Sequence, residues 1–294
     1  MKKLIGKAEI LLEALPFIKT FSNKTIVIKY GGNAMVSEEL KTNFALDVVM
    51  MKYIGINPII VHGGGPQIGK TLELFGIQSE FVDGQRVTSA EMIDIVEMVL
   101  GGKVNQDIVS LINRHGGNAV GITGKDGDLI HAKRFRKVKV SPETDRPEII
   151  DLGLVGEIKK VNVGVLETLD GAEFIPVIAP IGRGENGETL NINADFVASS
   201  IAQARRAAKL VLMTDVEGVK DKKGRLLTTL TRRQAMRLTQ TGVIRTGMAP
   251  KVQCCLDALK AGVEKTHIID GRVKHALLLE IFTKEGVGTQ ITQT

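Results

Sequence analysis

The stretches TIVIKYGG (residues 25–32) and NPIIVHGGGP (residues 57–66) decide the fold, because each runs from an apolar strand into a glycine-rich turn. A predicted helix follows each turn, one beginning near Ser37 and one running across Leu72. Since helical crossovers connect parallel strands, these units predict two parallel strands with both turns at their carboxyl ends. Ligands bind at that edge of open α/β sheets, and glycines allow backbone N–H groups to approach an anion.

Further short apolar runs predict more strands along the chain. They are NAVGI (118–122), FIPVIAPIG (174–182) and LVLMTD (210–215). Between the first two, residues 125–163 lack this strand–helix alternation and are typical of hairpins and loops. The pattern as a whole predicts an α/β fold with a parallel or mixed sheet.

Apolar spacing and capping signals predict where helices begin and end. Residues 4–18 carry apolar side chains at helical spacing, so an amphipathic helix opens the chain, and Pro16 is expected to kink or end it. A Thr followed three residues later by Glu or Gln marks two further helix starts. These pairs are Thr88 with Glu91, for a helix reaching about Asn113, and Thr231 with Gln234.

Composition excludes several classes of protein. The 294 residues are 43% hydrophobic and 24% charged, as in ordinary globular proteins, which excludes disordered and collagen-like chains. The two cysteines, Cys254 and Cys255, are adjacent, which suits neither a structural disulfide nor zinc-ligand spacing, so we expect two buried thiols on a helix.

The charge pattern bears on partners and location. A net charge of +6, with dispersed basic residues, no Trp and two Tyr, argues against nucleic acid and suits a small anionic substrate. No apolar run approaches the ~20 residues that span a bilayer. Early lysines and glutamates interrupt any signal-peptide core, so no membrane association and a cytoplasmic location are expected.

Two phosphate-binding arrangements compete in the residues themselves. GGPQIGKT (residues 64–71) fits the Walker A pattern and follows a strand, as in P-loop NTPases, with Lys70 as the phosphate-binding lysine. The alternative uses the paired glycine turns after Lys29–Tyr30 and after His62, without Lys70.

A series of motifs in a fixed order resembles the amino acid kinase family over nearly the whole chain. The motifs are VIKYGGNAM (27–35), IIVHGGGPQI (59–68), GQRVT (84–88), LNINAD (190–195), LMTDVEGV (212–219) and TGMAPKV (246–252). This resemblance implies a three-layer α/β sandwich around an open, mainly parallel sheet, and it makes the Walker A match a coincidence. Thr246 departs from the glycine that many relatives carry there.

The resemblance implies a division of the chain and an activity. It implies an oligomerisation helix (1–20), an acylglutamate-binding lobe (21–182) and an ATP-binding lobe (183–294). The implied reaction is ATP-dependent phosphorylation of the side-chain carboxylate of N-acetyl-L-glutamate, in arginine biosynthesis. Since that carboxylate is already a nucleophile, catalysis reduces to alignment and charge stabilisation.

Site residues carry over by matching positions in the motifs. The implied catalytic residues are Lys29, Lys251 and Asp195, the substrate-binding residues Gly64, Gly65, Arg86 and Asn191, the phosphoryl-binding residues Gly32 and Gly64, and the nucleotide-binding residues Thr214, Asp215, Gly218 and Val219. Helix capping is an alternative role for Asp195 and its neighbour Asn193. Mg²⁺ is expected to enter through the phosphates of ATP, without a protein metal site.

The chain termini, AEILLEALPFI (8–18) and HIIDGRVKHALLLEIFTKEGVGT (267–289), resemble the arginine-inhibited branch of this family. The resemblance implies a homo-hexamer, a trimer of dimers linked by the N-terminal helix, with L-arginine as effector. The implied effector residues are Lys209, His267, Glu280 and Gly286. Whether a nitrogen-signalling protein binds is not predicted.

Two further functions remain open on the sequence. One is a sibling kinase acting on glutamate, aspartate or UMP, which Arg86 and the NINAD segment disfavour. The other is an arginine sensor that has lost catalysis, which intact Lys29, Lys251 and Asp195 disfavour.

Overall fold

The computed structural model describes residues 2–35, 37–82, 84–140, 147–245 and 247–294. Its helices are α1 (Lys2–Phe21), α2 (Glu38–Tyr53), α3 (Gly65–Leu74), α4 (Ala90–Glu97), α5 (Asn105–Arg114), α6 (Gly164–Gly171), α7 (Ala194–Ala204), α8 (Arg232–Gln240), α9 (Met248–Lys260) and α10 (Ala276–Phe282). Its strands are β1 (Thr25–Tyr30), β2 (Asn57–His62), β3 (Phe81–Val82), β4 (Gln85–Arg86), β5 (Ala119–Thr123), β6 (Ile130–Val140), β7 (Pro147–Val161), β8 (Ile175–Ala179), β9 (Ile181–Arg183), β10 (Thr189–Asn191), β11 (Lys209–Thr214), β12 (Thr229–Thr231), β13 (Lys265–Asp270) and β14 (Thr289–Thr292).

An eight-stranded sheet runs through the molecule in the order β12-β14-β13-β11-β1-β2-β8-β5. All neighbouring pairs are parallel except β13 with β14. Side chains alternate along β1, so that Ile26 and Ile28 join one buried apolar cluster and Val27 joins the other. The first cluster includes residues of α2, α5 and α10, and the second includes residues of α7 and α9. The predicted three-layer α/β sandwich is therefore confirmed.

A second, small sheet lies outside the main one. Its four strands close in the order β10-β7-β6-β9, with β6 and β7 forming a long antiparallel hairpin. This agrees with the hairpin character predicted for residues 125–163, of which 141–146 lie outside the described residues. Thr246 also lies outside them. The division into two lobes stays a prediction, since the main sheet runs through both parts without a break.

Pro16 does not end the first helix, contrary to one expectation from the sequence. α1 continues through it to Phe21, three residues beyond Ile18 and five beyond Pro16. A proline in a helix removes one N–H donor, and here the residue is exposed, where water can replace the lost bond. None of the described helices is long and apolar enough to span a bilayer.

The predicted capping by Thr88 is wrong by one residue. Ser89 is the N-cap of α4, and its side chain accepts a hydrogen bond from the Met92 N–H. The helix does reach Arg114, but the glycine pair at 101–102 lies in a π-helical segment, Met98–Val104, between α4 and α5. The second capping box is confirmed in both halves, because Thr231 and Gln234 each bind the other's backbone N–H.

Thr88 is instead held by β7. Its N–H donates to the Leu152 carbonyl, and its carbonyl accepts from the Leu154 N–H. Between them, Gly153 has φ +73°, and a Cβ there would overlap the Thr88 carbonyl oxygen. A glycine at 153 therefore allows β7 to run against the segment that carries Arg86 and Thr88.

Replacing Gly153 with alanine is expected to lower the free energy of unfolding by roughly 3 kcal/mol, since left-handed strain and steric overlap add together. Gly187→Ala is the matched control, because Gly187 has φ +84° with open space around its Cβ position. That variant carries the backbone strain alone, which costs about 1 kcal/mol. Urea unfolding of both variants measures the difference, and equal losses would show that β7 moves freely away from Thr88.

Candidate active site

The two glycine-rich turns lie side by side at the carboxyl edge of the main sheet. The parallel pairing of β1 with β2 brings Tyr30 opposite His62, and the Gly63 N–H donates to the Tyr30 carbonyl at 2.7 Å. A cavity of about 250 Å³ opens beside the second turn, Gly63–Gly65. Its wall brings together all of the catalytic and substrate-binding residues predicted from the sequence: Lys29, Gly64, Gly65, Arg86, Asn191, Asp195 and Lys251.

A buried carboxylate joins two lysines in this cavity. Asp195 is 4% exposed, and its Oδ1 lies 3.2 Å from Lys29 Nζ, while its Oδ2 lies 2.5 Å from Lys251 Nζ. Burial alone would raise the pKa of Asp195, but the two ammonium groups outweigh it and lower that pKa to about 2. The group is therefore a carboxylate at physiological pH and holds both cations in place.

Three different elements deliver these three side chains. Lys29 is the fifth residue of β1, Asp195 lies in the first turn of α7, and Lys251 lies in the first turn of α9. Gly31 leaves room for the Lys29 side chain, because a Cβ there would lie 2.7 Å from Lys29 Nζ. The sheet and the two packed helices thus fix the relative positions of the charges.

The structure separates helix capping from the charge cluster. Asn193 is the N-cap of α7, and its Oδ1 accepts from the Asp195 backbone N–H at 2.8 Å. The Asp195 side chain turns instead toward the lysines. Capping, which the sequence left open for both residues, belongs to Asn193.

Arg86 is held at the mouth of the Gly63–Gly65 turn. It is 8% exposed, its Nη2 donates to the Gly65 carbonyl at 2.9 Å, and its Nη1 donates to Ser79 Oγ. Its guanidinium lies 4.6 Å from the centre of the Phe81 ring. Hydrogen bonds and a cation–π contact therefore present a planar cation to the cavity.

Hydrogen bonds through Thr88 connect Asn191 to Arg86. The Asn191 Nδ2 donates to Thr88 Oγ1 at 3.2 Å, and that hydroxyl donates to the Arg86 carbonyl at 3.0 Å. No local sequence pattern indicates the roles of Thr88, Ser79 and Phe81, because their contacts with Arg86 and Asn191 depend on the tertiary fold. These three residues hold the Arg86 and Asn191 side chains in position.

In the second turn, close packing leaves no room for a side chain at Gly64. A Cβ at Gly64 would lie 2.6 Å from Leu100 Cδ2, which belongs to the π-helical segment. Gly32, the other predicted phosphoryl-binding glycine, has φ +69° and lies beside Asp215 rather than in the 250 Å³ cavity. Gly32 therefore lies between the Lys29 end of β1 and the Thr214–Asp215 end of β11.

A second cavity, of about 450 Å³, lies beyond Gly32 and receives three of the predicted nucleotide-binding residues: Asp215, Gly218 and Val219. Thr214 ends β11 just behind it, and its Oγ1 donates to Asp215 Oδ1 at 3.2 Å. Arg245 and Arg272 also line this cavity and were missed from the sequence, where isolated arginines carry no motif. Among the described residues, no cluster of His, Cys, Asp and Glu could hold a metal ion.

The four predicted effector residues also meet, at a different place in the fold. His267 Nδ1 lies 2.6 Å from Glu280 Oε1, and Glu280 Oε2 accepts from the Val287 N–H next to Gly286. Lys209 Nζ lies 4.7 Å from the centre of the Phe21 ring, at the end of α1. Burial lowers the pKa of Lys209 to about 8, with the charge of Lys265 acting in the same direction.

Protonation in this effector cluster follows from burial and pairing. Burial lowers the pKa of His267 to about 4, so its ring is neutral and Nδ1–H donates to Glu280. Burial acts to raise the pKa of Glu280, but the hydrogen bonds from His267 and from the Val287 N–H, together with nearby positive charge, outweigh it and the net shift is downward. His267 Nε2 is buried and has no hydrogen-bond partner among the described residues.

Two other sequence features can be placed. Lys70 is exposed in the middle of α3, which begins at Gly65, so the Walker A lysine does not lie at the start of the helix as that motif requires. Cys254 and Cys255 are buried free thiols on α9, as expected, and burial raises the pKa of both.

Comparison with known proteins gives a consistent result. An acetylglutamate kinase from Syntrophobacter fumaroxidans is 61% identical over 290 residues, which is 99% of this chain and 97% of that protein. An N-acetylglutamate synthase from Neisseria gonorrhoeae, solved with coenzyme A and N-acetyl-glutamate, superposes with a TM-score of 0.84 at 24% identity. The same synthase solved with coenzyme A and L-arginine gives a TM-score of 0.81 at 22% identity. This chain is covered to 98% in both superpositions and spans 63% and 65% of those synthase chains, and at these identities the likeness shows the fold alone.

The family model described as the amino acid kinase family matches residues 24–270, which include every residue of the two cavities described above except Arg272. That match covers most of the chain, and the relative at 61% identity covers nearly all of it. The chain therefore belongs to the amino acid kinase family.

Proposed function

We propose that this kinase transfers the γ-phosphoryl group of ATP to the side-chain carboxylate of N-acetyl-L-glutamate, in arginine biosynthesis. The observation that carries the proposal is the Lys29–Asp195–Lys251 cluster, which shares one cavity with Arg86 and Asn191. The 61% identical relative bears the name of that activity. N-acetyl-L-glutamyl 5-phosphate and ADP are the products.

Phosphoryl transfer to a carboxylate requires charge stabilisation rather than a general base. An ionised carboxylate attacks the γ-phosphorus directly, and negative charge spreads over the equatorial oxygens in the transition state. Lys29 and Lys251, held apart by their common carboxylate, place two positive charges at the cavity wall. Because Asp195 keeps a pKa of about 2, this arrangement is present throughout the physiological pH range.

Arg86 and Asn191 hold the acceptor. The planar guanidinium of Arg86 matches the α-carboxylate of the substrate with two parallel hydrogen bonds. The Asn191 amide provides polar contacts to the acetylated nitrogen or its neighbouring groups. With Lys29, Lys251 and Arg86 against a single carboxylate, the wall carries excess positive charge, which favours an acceptor that lacks an α-ammonium group.

ATP occupies the second cavity, with its phosphates directed past Gly32 toward the lysines. Asp215, Gly218 and Val219 form one side of that cavity, and Arg245 and Arg272 add positive charge. Mg²⁺ enters on the nucleotide phosphates, since Asp195 is already neutralised by two lysines. Bound there, the ion would offset phosphate charge.

A coupled assay of ADP release tests the substrate directly. With MgATP, turnover is expected with N-acetyl-L-glutamate and at least a hundredfold lower kcat/KM with glutamate, aspartate or UMP, because glutamate and aspartate bring an α-ammonium to a positive wall. Turnover confined to another acceptor would make the chain a sibling kinase. Arginine binding without turnover on any acceptor would favour the sensor.

Matched lysine variants test the mechanism in the same assay. Lys29→Ala and Lys251→Ala are each expected to lower kcat about 100-fold or more, as loss of a preorganised transition-state contact does. Lys70→Ala is the control, because Lys70 is exposed on α3, and its kcat should stay within twofold of the unchanged enzyme. Loss of turnover in Lys70→Ala alone would instead support the P-loop mechanism.

L-Arginine is proposed as a feedback inhibitor that binds the effector cluster of Lys209, His267, Glu280 and Gly286. Glu280 supplies a buried carboxylate for a guanidinium, and the Lys209 ammonium suits the ligand's carboxylate. Phe21 connects Lys209 to α1, which we propose links dimers into a hexamer. Exposed Ile5, Leu12 and Leu15 give α1 an apolar surface for such contacts.

Deleting residues 2–20 is expected to give an active dimer that millimolar L-arginine no longer inhibits, because the deletion removes the helical turns that hold Phe21 beside Lys209 and that link the dimers. Sedimentation and ADP-release assays measure both effects. Glu280→Gln in the full chain is the control, expected to stay hexameric while its arginine inhibition is weakened at least tenfold. A surviving hexamer in the deletion variant would contradict the proposed linkage.

A further inference from the structure

A buried histidine lies directly before the glycine turn of the active site. His62 ends β2, is fully buried and does not line the substrate cavity. Its Nδ1 lies 2.8 Å from the Gly63 carbonyl oxygen, and its Nε2 lies 3.2 Å from Asn105 Nδ2. The ring thus connects the turn to the first residue of α5, which follows the π-helical segment.

These two contacts select one protonation state. A carbonyl oxygen can only accept, so Nδ1 carries the proton, and Nε2 must then accept from the Asn105 amide. The Asn105 amide is oriented independently, because its Nδ2 also donates to the Val177 carbonyl at 2.9 Å. Gly121 makes room for this amide, since a Cβ there would overlap Asn105 Oδ1.

The environment of the ring agrees with that assignment. Burial lowers the pKa of His62 to about 4, although the bond to Gly63 acts in the opposite direction. If the ring were charged, Nε2 would also carry a proton, and this N–H would face the N–H donor of the Asn105 amide. The imidazole is therefore neutral near pH 7, and it cannot serve as a proton carrier there.

The consequence falls on the Gly63–Gly64 peptide. Gly63 is held on both sides, because its N–H donates to the Tyr30 carbonyl and its carbonyl accepts from His62. In a planar trans peptide the C=O and the following N–H point in opposite directions. With the Gly63 carbonyl turned to the imidazole, the Gly64 N–H points away from it, and Gly64 lines the substrate cavity.

We infer that His62 is a positioning residue for phosphoryl transfer: its Nδ1–H fixes the Gly63 carbonyl, and this aims the Gly64 N–H at the group being transferred. Asn105 sets the tautomer of the ring. The inference rests on the proposed phosphoryl transfer but on no particular acceptor. It gives His62, the last residue of β2, a role that the family motifs do not assign.

Two isosteric variants separate the contacts of the ring. His62→Asn keeps an N–H donor at the position of Nδ1 and loses the contact to Asn105, whereas His62→Gln keeps an acceptor for Asn105 and removes the donor to Gly63. We expect kcat to fall at least tenfold in His62→Gln with both KM values within threefold, and to stay within threefold in His62→Asn. Melting temperatures should fall similarly in both, since each leaves a buried amide.

The controls make the result decisive. His115→Asn and His115→Gln, at the end of α5 and outside both cavities, should leave kcat unchanged. Equal kcat losses in the two His62 variants, or no loss in His62→Gln, would overturn the positioning role. If the enzyme uses another acceptor, the proposed substrate fails and the same comparison is made with that acceptor.

A spectroscopic measurement tests the tautomer without any turnover. In ¹⁵N-histidine-labelled protein, the resonances lost in His62→Asn should show a protonated Nδ1 and an unprotonated Nε2 at every pH from 5.5 to 8. A ring protonated at Nε2, or one that titrates in that range, would overturn the inference.

Discussion

The Asp195 carboxylate between Lys29 and Lys251 is the interaction on which the rest of the active site depends. Two ammonium groups at one cavity wall repel each other, and a buried ion without a partner costs several kcal/mol. A carboxylate with one oxygen for each lysine removes both problems. Since the three residues come from β1, α7 and α9, the sheet and both helices must pack correctly before the cluster forms.

Around this cluster, missing side chains are as important as charged ones. Gly31 leaves space for the lysine, Gly64 leaves space for Leu100, and Gly153 allows β7 to hold the segment with Thr88. Each glycine permits a close approach between backbone and a neighbouring element, and at Gly64 the backbone itself forms part of the cavity wall. Such backbone lacks side chains to orient it, and hydrogen bonds such as that from His62 to Gly63 take over that task.

The sequence predicted the elements better than the contacts between them. Strand–glycine–helix units predicted β1, β2 and their parallel pairing, because apolar period and turn residues are local signals. The motifs predicted which residues meet at Lys29, Asp195 and Lys251, which no local rule could do. By contrast, the local pattern predicts Thr88 as a helix cap, since its bond with Asn191 joins residues 103 positions apart and leaves no trace in that pattern.

Lys209 and Thr214 stand at opposite ends of β11, so the His267–Glu280 pair beside Lys209 and the 450 Å³ cavity beside Thr214 lie at opposite edges of the sheet, roughly 16 Å apart along the strand. Contacts outside the strand also connect its two ends, through the helices packed on the sheet. α10 carries Glu280, and the Asp47 carboxylate of α2 accepts from His275 Nδ1 at 2.6 Å, just before α10 begins. α2 follows the Gly31–Gly32 turn, so contacts between elements connect α10 to that turn through α2 rather than through the strands of the sheet.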